Sequence, residues 1–201
     1  MAAVDLYPSR TRARLETRAR VFDAALAEFH RVGVEATRIE DVVRTAGVAR
    51  GTFYLHFASK DEVLVELLAR CDQRIAMHLE GLDPRWPGRA LRVVADAIAA
   101  EAAGKHAALL PAALAAIGRN PDEVARRAPA LSEGLTTFLA AGRRAGTVRD
   151  QAAPADLAAV LLASLVGLLV THRQSSPSGL RATLRRTVEL LEPVLLIPGR
   201  C

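Results

Sequence analysis

Aromatic residues are scarce in this chain: one Trp, two Tyr and five Phe among 201 residues. Sandwiches and barrels lean on such side chains, so their scarcity, beside abundant alanine, favours closely packed helices. Cysteine is scarcer still. Cys71 and Cys201 are too few for a disulfide framework and fit a reducing compartment. Residues 1–20 carry charge with no apolar core behind it, unlike a signal peptide. The longest uncharged run, 157–171, falls short of the ~20 residues of a membrane span. These absences predict a soluble, cytoplasmic protein.

Signatures of catalysis are also missing. No CxxC, nucleophile elbow or glycine-rich phosphate loop occurs. His30, His56, His78, His106 and His172 are scattered, and none follows a carboxylate at the Glu-x-x-His spacing of helical di-metal sites. The sequence therefore predicts no enzyme, no metal and no cofactor. Cys71 and His78 share a helix face and could suggest a thiol or metal sensor. The plainer reading is a small apolar filler and a locally bonded histidine.

What is present is a chain that is 51% hydrophobic, enough for a sizeable core, with a net charge of only +5. The charge is unevenly spread. Residues 10–20 hold five arginines, Arg10, Arg12 and Arg14 among them, against one glutamate. A solvated helix face would look similar, but the position just before the motif at 37–60 favours an electrostatic arm for anionic groups.

That motif spans 37–60 and reads as two short helices joined by a tight turn. Thr37 with Glu40 forms a capping box that starts a helix at Arg38, and Ile39, Val42 and Val43 give it an apolar stripe. Gly47 supplies the left-handed residue after it, and Val48 plugs the angle between the helices. A second helix over 50–57 places Phe53 and Phe57 on one face. Gly51, Thr52, Leu55 and His56 fall on or near the other, flanked by Arg50, Tyr54 and Lys60. Such a surface suits a helix in a DNA major groove. Gly51 allows close approach, Arg50 and Thr52 reach base edges, and Tyr54, His56 and Lys60 hold phosphates. Thr37 and Arg38 join this set at the start of the first helix. Ser59 with Glu62 forms a second capping box.

The order Asp41-Val42, Ala46-Gly47-Val48, Gly51-Thr52-Phe53-Tyr54, His56-Phe57 and Lys60 resembles the DNA-binding domain of TetR/AcrR-type bacterial transcriptional regulators. The resemblance extends back through Phe22, Ala25, Phe29, Gly33 and Ala36-Thr37, and covers about the first third of the chain. Two positions depart from the pattern. Ala49 replaces the usual Ser or Thr cap of the recognition helix, a loss of ~1 kcal/mol, and Val43 replaces a small residue. The resemblance implies an all-α protein of about nine helices. Residues 1–58 would form an N-terminal three-helix helix-turn-helix domain, 59–80 a connecting helix, and 81–201 a C-terminal ligand-binding and dimerisation domain. It further implies a homodimeric repressor on a palindromic operator, released by a small hydrophobic effector. A same-fold activator, a regulator without a ligand, and a helical enzyme with an incidental motif are the alternatives.

Helical periodicity agrees along the rest of the chain. A first helix spans 11–32, with Phe22, Ala25, Leu26 and Phe29 as its inner stripe and Gly33 as its stop. A long helix over 60–80 links the reading head to the C-terminal domain, and 81–88, with Pro84 and Pro87, reads as the linker. Further helices cover 89–103, 105–117, the stretch from Asn120-Pro121-Asp122 to Gly146 with an interruption at Pro129, then 154–173 and 179–191. The penultimate helix is apolar nearly all round, and Ala159, Ala163 and Gly167 recur every four residues. With Leu184, Val188 and Leu191 of the last helix they form the expected dimer surface, of the four-helix kind. Phe138, Ser164 and Thr171 are the expected pocket residues, although the two hydroxyls could equally bond their own preceding carbonyls.

Overall fold

The computed structural model describes residues 7–119, 121–171 and 176–197, without the side chains of 7–9, 123 and 125. Asn120, His172, Arg173 and Cys201 lie outside the described residues. Among those described there are ten α-helices and no strand; a single antiparallel bridge joins Val148 to Leu196. The helices are α1 Tyr7–Val32, α2 Ile39–Ala46, α3 Arg50–His56, α4 Lys60–Met77, α5 Pro87–Ala102, α6 Leu110–Arg119, α7 Pro121–Arg127, α8 Ala130–Arg144, α9 Pro154–Thr171 and α10 Pro177–Leu195. A 3-10 turn at Ala107–Leu109 leads into α6. The number agrees with the expected count of about nine, and α7 and α8 separate at Pro129 as expected, its ring blocking a continuous helix. The all-α architecture with an N-terminal helix-turn-helix is as expected.

The chain forms two compact units that divide after Glu66, inside α4. Segment 81–88 thus lies within the second unit, and Pro87 already belongs to α5, where its fixed φ suits the first helical position.

In the first unit, α1 turns Val21, Phe22, Ala25, Leu26 and Phe29 inward, and Val42, Phe53, Phe57, Val63 and Leu64 meet them from the other helices. Gly33 ends α1 at φ +85°, in the left-handed region that favours glycine. The basic segment is no arm ahead of the helix: Arg10, Arg12 and Arg14 are exposed turns of α1 itself, and Arg12 pairs with Glu16 at 3.0 Å.

In the second unit, α10 packs along α5, and α9 lies against α8 and α10. Asp96 of α5 accepts from Arg185 Nε of α10 at 2.7 Å, and Arg92 pairs with Glu192 across the same two helices. The α8–α9 loop is tied to the end of α10, where Arg149 N donates to Leu195 O at 2.9 Å. Helix α9 buries Leu157, Ala158, Leu161, Leu165 and Leu169. It has 18 residues at a mean hydropathy of 2.0, so by length and composition it could cross a bilayer, contrary to the shorter uncharged run read from the sequence. Its buried face is instead part of the core of this unit.

The expected dimer surface needs correction on α10. Leu184 and Val188 are fully buried within their own unit, and Leu191 packs partly against its core, because this stripe faces α5. The α9 residues Ala159, Ala163 and Gly167 are exposed as expected, beside Val160 and Val170. On α10 the exposed apolar residues are Leu190 (62%) and Val194.

Glycine at 142 is dictated by packing. A Cβ there would lie 2.7 Å from Val148 Cγ2 and 3.3 Å from the Pro84 carbonyl oxygen. Gly142→Ala is expected to destabilise the protein by about 1–3 kcal/mol. Gly118→Ala, with nothing within 4 Å of the new methyl, is expected to be neutral or to stabilise by up to ~1 kcal/mol. Urea unfolding of the two variants checks the contrast.

Candidate nucleic-acid interface and effector cavity

The turn between α2 and α3 is built by Gly47. Its φ of 65° ends α2, its N–H donates to Arg44 O, and the N–H of Val48 reaches back to Val43 O at 3.1 Å. Helix α3 then starts at Arg50 with Ala49 at its cap and no side-chain capping bond, the loss anticipated from the sequence. Seven residues without a cap are too few to hold a helix in water. Phe53 and Phe57 supply the hold: both are fully buried, their rings are 6.1 Å apart, and Phe22 lies 6.3 Å from Phe57. Arg18 of α1 sets its guanidinium 4.2 Å over the Phe57 ring, pairs with Glu66 at 2.9 Å, and donates to the His56 carbonyl at the open end of α3.

With that side held, Arg50, Gly51, Tyr54 and Leu55 are exposed and Thr52 half-buried, and Leu55 is 67% accessible. Arg50 is ordered from within the motif. It pairs with Glu40 of α2 at 2.7 Å and lies 5.9 Å from the Tyr54 ring. A bond with Tyr54, and then the Glu40 charge, push its pKa up further.

Three residues expected at this surface are elsewhere. Thr37 is buried (4%), and its hydroxyl donates to the Gly33 carbonyl at 2.7 Å. It does not cap α2, which begins one residue later than expected with Arg38 as an unbonded N-cap; Glu40 is held by Arg50 and closes no capping box. His56 is 7% accessible. Three residues after Phe53, it lies only about 60° round the helix from that ring and is drawn in with it. Lys60 is turned to its own chain, where Nζ donates to the carbonyls of Val34, Glu35 and Thr37 at 2.7, 3.0 and 3.1 Å. Those bonds fix the α1–α2 loop. Arg38 is exposed, near Glu40 at 3.9 Å. The second capping box forms in altered shape: Glu62 N donates to Ser59 Oγ at 3.2 Å, while the Glu62 carboxylate accepts from Ala58 N.

The second unit encloses a cavity of about 190 Å³ lined by α4, α5, α6, α8 and α9 residues such as Leu68, Ile98, Leu114, Leu131 and Val166. Neither Phe138, Ser164 nor Thr171 lines it. Phe138 is buried beside another, open groove, and the hydroxyls of Ser164 and Thr171 bond to Val160 and Gly167 of their own helix. The polar lining is instead Cys71, Asp72, Glu101 and His106. His78 is exposed and does not line the cavity that Cys71 lines. Burial, and then the Glu101 charge, push the Cys71 thiol up to about 11, so it stays protonated and unreactive. Arg74 donates to Glu101 twice at 2.7 Å and holds that carboxyl below its ordinary range. Burial pushes Asp72 up, against the lowering effect of the Leu131 and Ala130 N–H groups; Leu131 N donates to it at 3.2 Å. Among the described residues no group of three His, Cys, Asp or Glu is placed to hold a metal.

Burial, then the Arg18 and Arg14 charges, push the His56 pKa down. A base with its folded pKa below its unfolded value stabilises the fold above about pH 6.5 and loses that contribution as pH falls. Hydrogen exchange of the α3 amides is therefore expected to accelerate, beyond its intrinsic trend, as pH falls below that point. His56→Gln is expected to flatten the response.

The model of bacterial regulatory proteins of the tetR family matches residues 21–67. The regulator SrpR of Pseudomonas putida is 48% identical over 54 residues, 27% of this chain and 25% of that protein. Such matches span well under half of those relatives. The transcriptional repressor KstR of Rhodococcus jostii is 31% identical over 192 residues, 89% of this chain and 84% of KstR. Among solved structures, a TetR-family regulator from Pectobacterium atrosepticum superposes with a TM-score of 0.72 at 24% identity, covering 92% of this chain and 96% of that one. Thermus thermophilus FadR, solved with lauroyl-CoA, gives 0.70 at 21% identity over 88% and 93%. With a relative matched over most of both chains and the helix-turn-helix geometry in place, this chain belongs to the tetR family of bacterial regulatory proteins.

Proposed function

We propose that the chain is a transcriptional repressor that binds operator DNA as a homodimer in the cytoplasm and lets go when a small effector enters the second unit. The carrying observation is the α3 surface. Its aromatic side is locked inward, which leaves Arg50, Gly51, Thr52, Tyr54 and Leu55 outward on a helix thin enough, at Gly51, for close approach to base edges. Arg10, Arg12, Arg14 and Arg38 are exposed cations of the same unit and serve phosphates. Thr37, His56 and Lys60 act behind this surface, holding it in shape.

Dimerisation uses the open apolar faces of α9 and α10: Ala159, Val160, Ala163, Gly167 and Val170 with Leu190 and Val194. Exposed apolar side chains recurring along a helix face favour self-association. Two heads then read half-sites ~34 Å apart in a palindrome. The cavity takes the effector, a role that the lauroyl-CoA in the FadR neighbour supports. Release requires that the effector bind one head spacing better than the other. Helix α4 carries that preference, since its residues belong to both units.

Thr52→Ala is expected to change the sequences recovered in a selection from random DNA more than it changes non-specific affinity; a uniform loss would assign Thr52 to positioning. Replacing Arg10, Arg12 and Arg14 by Gln should weaken all sequences alike and lower the salt slope by about 0.9 for each phosphate no longer neutralised. An unaltered slope removes that role. Gly167→Leu, at the open α9 face, should shift sedimentation from dimer to monomer.

A further inference from the structure

We infer that the cavity of the second unit selects a small apolar amine, about one aromatic ring in size and protonated at its polar end, over the matching carboxylate. The inference rests on the effector reading for its biological meaning, but the chemistry follows from the walls. The cavity volume of about 190 Å³ compares with the ~150 Å³ of an engineered apolar cavity that admits benzene, and lies below the roughly 300–1,000 Å³ of drug-sized sites. A body of about one ring fits it; a long acyl thioester does not without rearrangement.

The lining is apolar except at one cluster, where the carboxylates of Asp72 and Glu101 stand beside the Cys71 thiol and the His106 imidazole. Arg74, the cation beside it, is committed to Glu101 through two bonds of 2.7 Å, and its remaining contact is to Cys71 Sγ at 3.3 Å. Its charge is therefore balanced within the wall. Cys71 stays a neutral thiol. His106 also lines the cavity, and its electrostatic partner is Glu101. Among the described residues Asp72 forms no ion pair and instead accepts backbone N–H groups at the start of α8, a helix without a side-chain cap. A carboxylate has about four lone-pair directions, so these bonds leave acceptor capacity turned to a guest. An ammonium meeting Asp72 gains a charge-assisted bond in a poorly solvated site. A carboxylate guest meets like charge there and loses its hydration.

Three near-isosteric probes test this on the full-length protein without DNA: phenethylamine, phenethyl alcohol and hydrocinnamate, each titrated by calorimetry. The amine is expected to bind tightest, the alcohol less tightly, and the carboxylate at least about tenfold more weakly than the amine, a gap of ~1.4 kcal/mol. Asp72→Asn, which can still cap α8 through its amide oxygen, should close most of the gap between amine and carboxylate. Equal affinities, tighter binding of the alcohol or carboxylate, or no binding of any probe overturns the inference, and the wild-type series decides this even if the variant fails to fold. A separate titration of the protein–DNA complex with phenethylamine tests the effector reading. Binding without release of DNA would remove the effector role and leave the cavity chemistry standing.

Discussion

The inward lock of Phe53 and Phe57 is the constraint on which the first unit depends. Helix α3 has seven residues and no capping side chain, so neither propensity nor hydrogen bonding within the helix holds it. Burial of two phenyl groups contributes about 1.5–3 kcal/mol each, enough to replace the missing cap. It also fixes rotation about the helix axis. A helix of this length could otherwise turn freely; anchored by two rings on one side, it shows only one face. Arg18 finishes the fixation by covering Phe57 and bonding the His56 carbonyl, so that α1, α3 and α4 meet on a single guanidinium.

The second unit divides its apolar faces differently. Helix α9 is apolar nearly all round but uses only the Leu157–Leu161–Leu165 side for its own core. Helices α5 and α10 are drawn together by Asp96–Arg185 and Arg92–Glu192 as well as by their buried stripes. The cavity has polar groups of α4 and α5 in its wall: Asp72 is held by the start of α8, and Glu101 by Arg74. Packing those carboxylates away without partners would be far costlier than leaving space beside them.

Much of this architecture is legible in the sequence. The helix order, the stop at Gly33, the left-handed Gly47 and the burial of Phe53 and Phe57 follow from periodicity and backbone chemistry, which are local. Other positions are not legible in that way. Rotation explains His56, since three residues from Phe53 is nearly the same face. Thr37 and Lys60 are polar residues beside a recognition motif, yet their partners are carbonyls of the α1–α2 loop, which no spacing rule reveals. On α10 the regular stripe Leu184–Val188–Leu191 is real, but periodicity shows that a face is apolar and not what covers it; α5 covers this one. The cavity residues are beyond reach for the same reason. Asp72 and Glu101 each sit three residues from a core isoleucine, Ile75 and Ile98, and only tertiary packing brings the two stretches together.

The inward turn of Lys60 also bears on how charge can be regulated. Lys60 and Lys105 are the chain's only lysines, and every other basic side chain besides histidine is arginine. With Lys60 engaged by three carbonyls, the outward lysine and arginine side chains among the described residues of the first unit are all guanidinium groups. These keep their charge at any physiological pH and can fork onto two oxygens of one anion. Among the described residues, lysine acylation would therefore find no outward side chain of that unit to neutralise, and removing its positive charge would have to act on arginine.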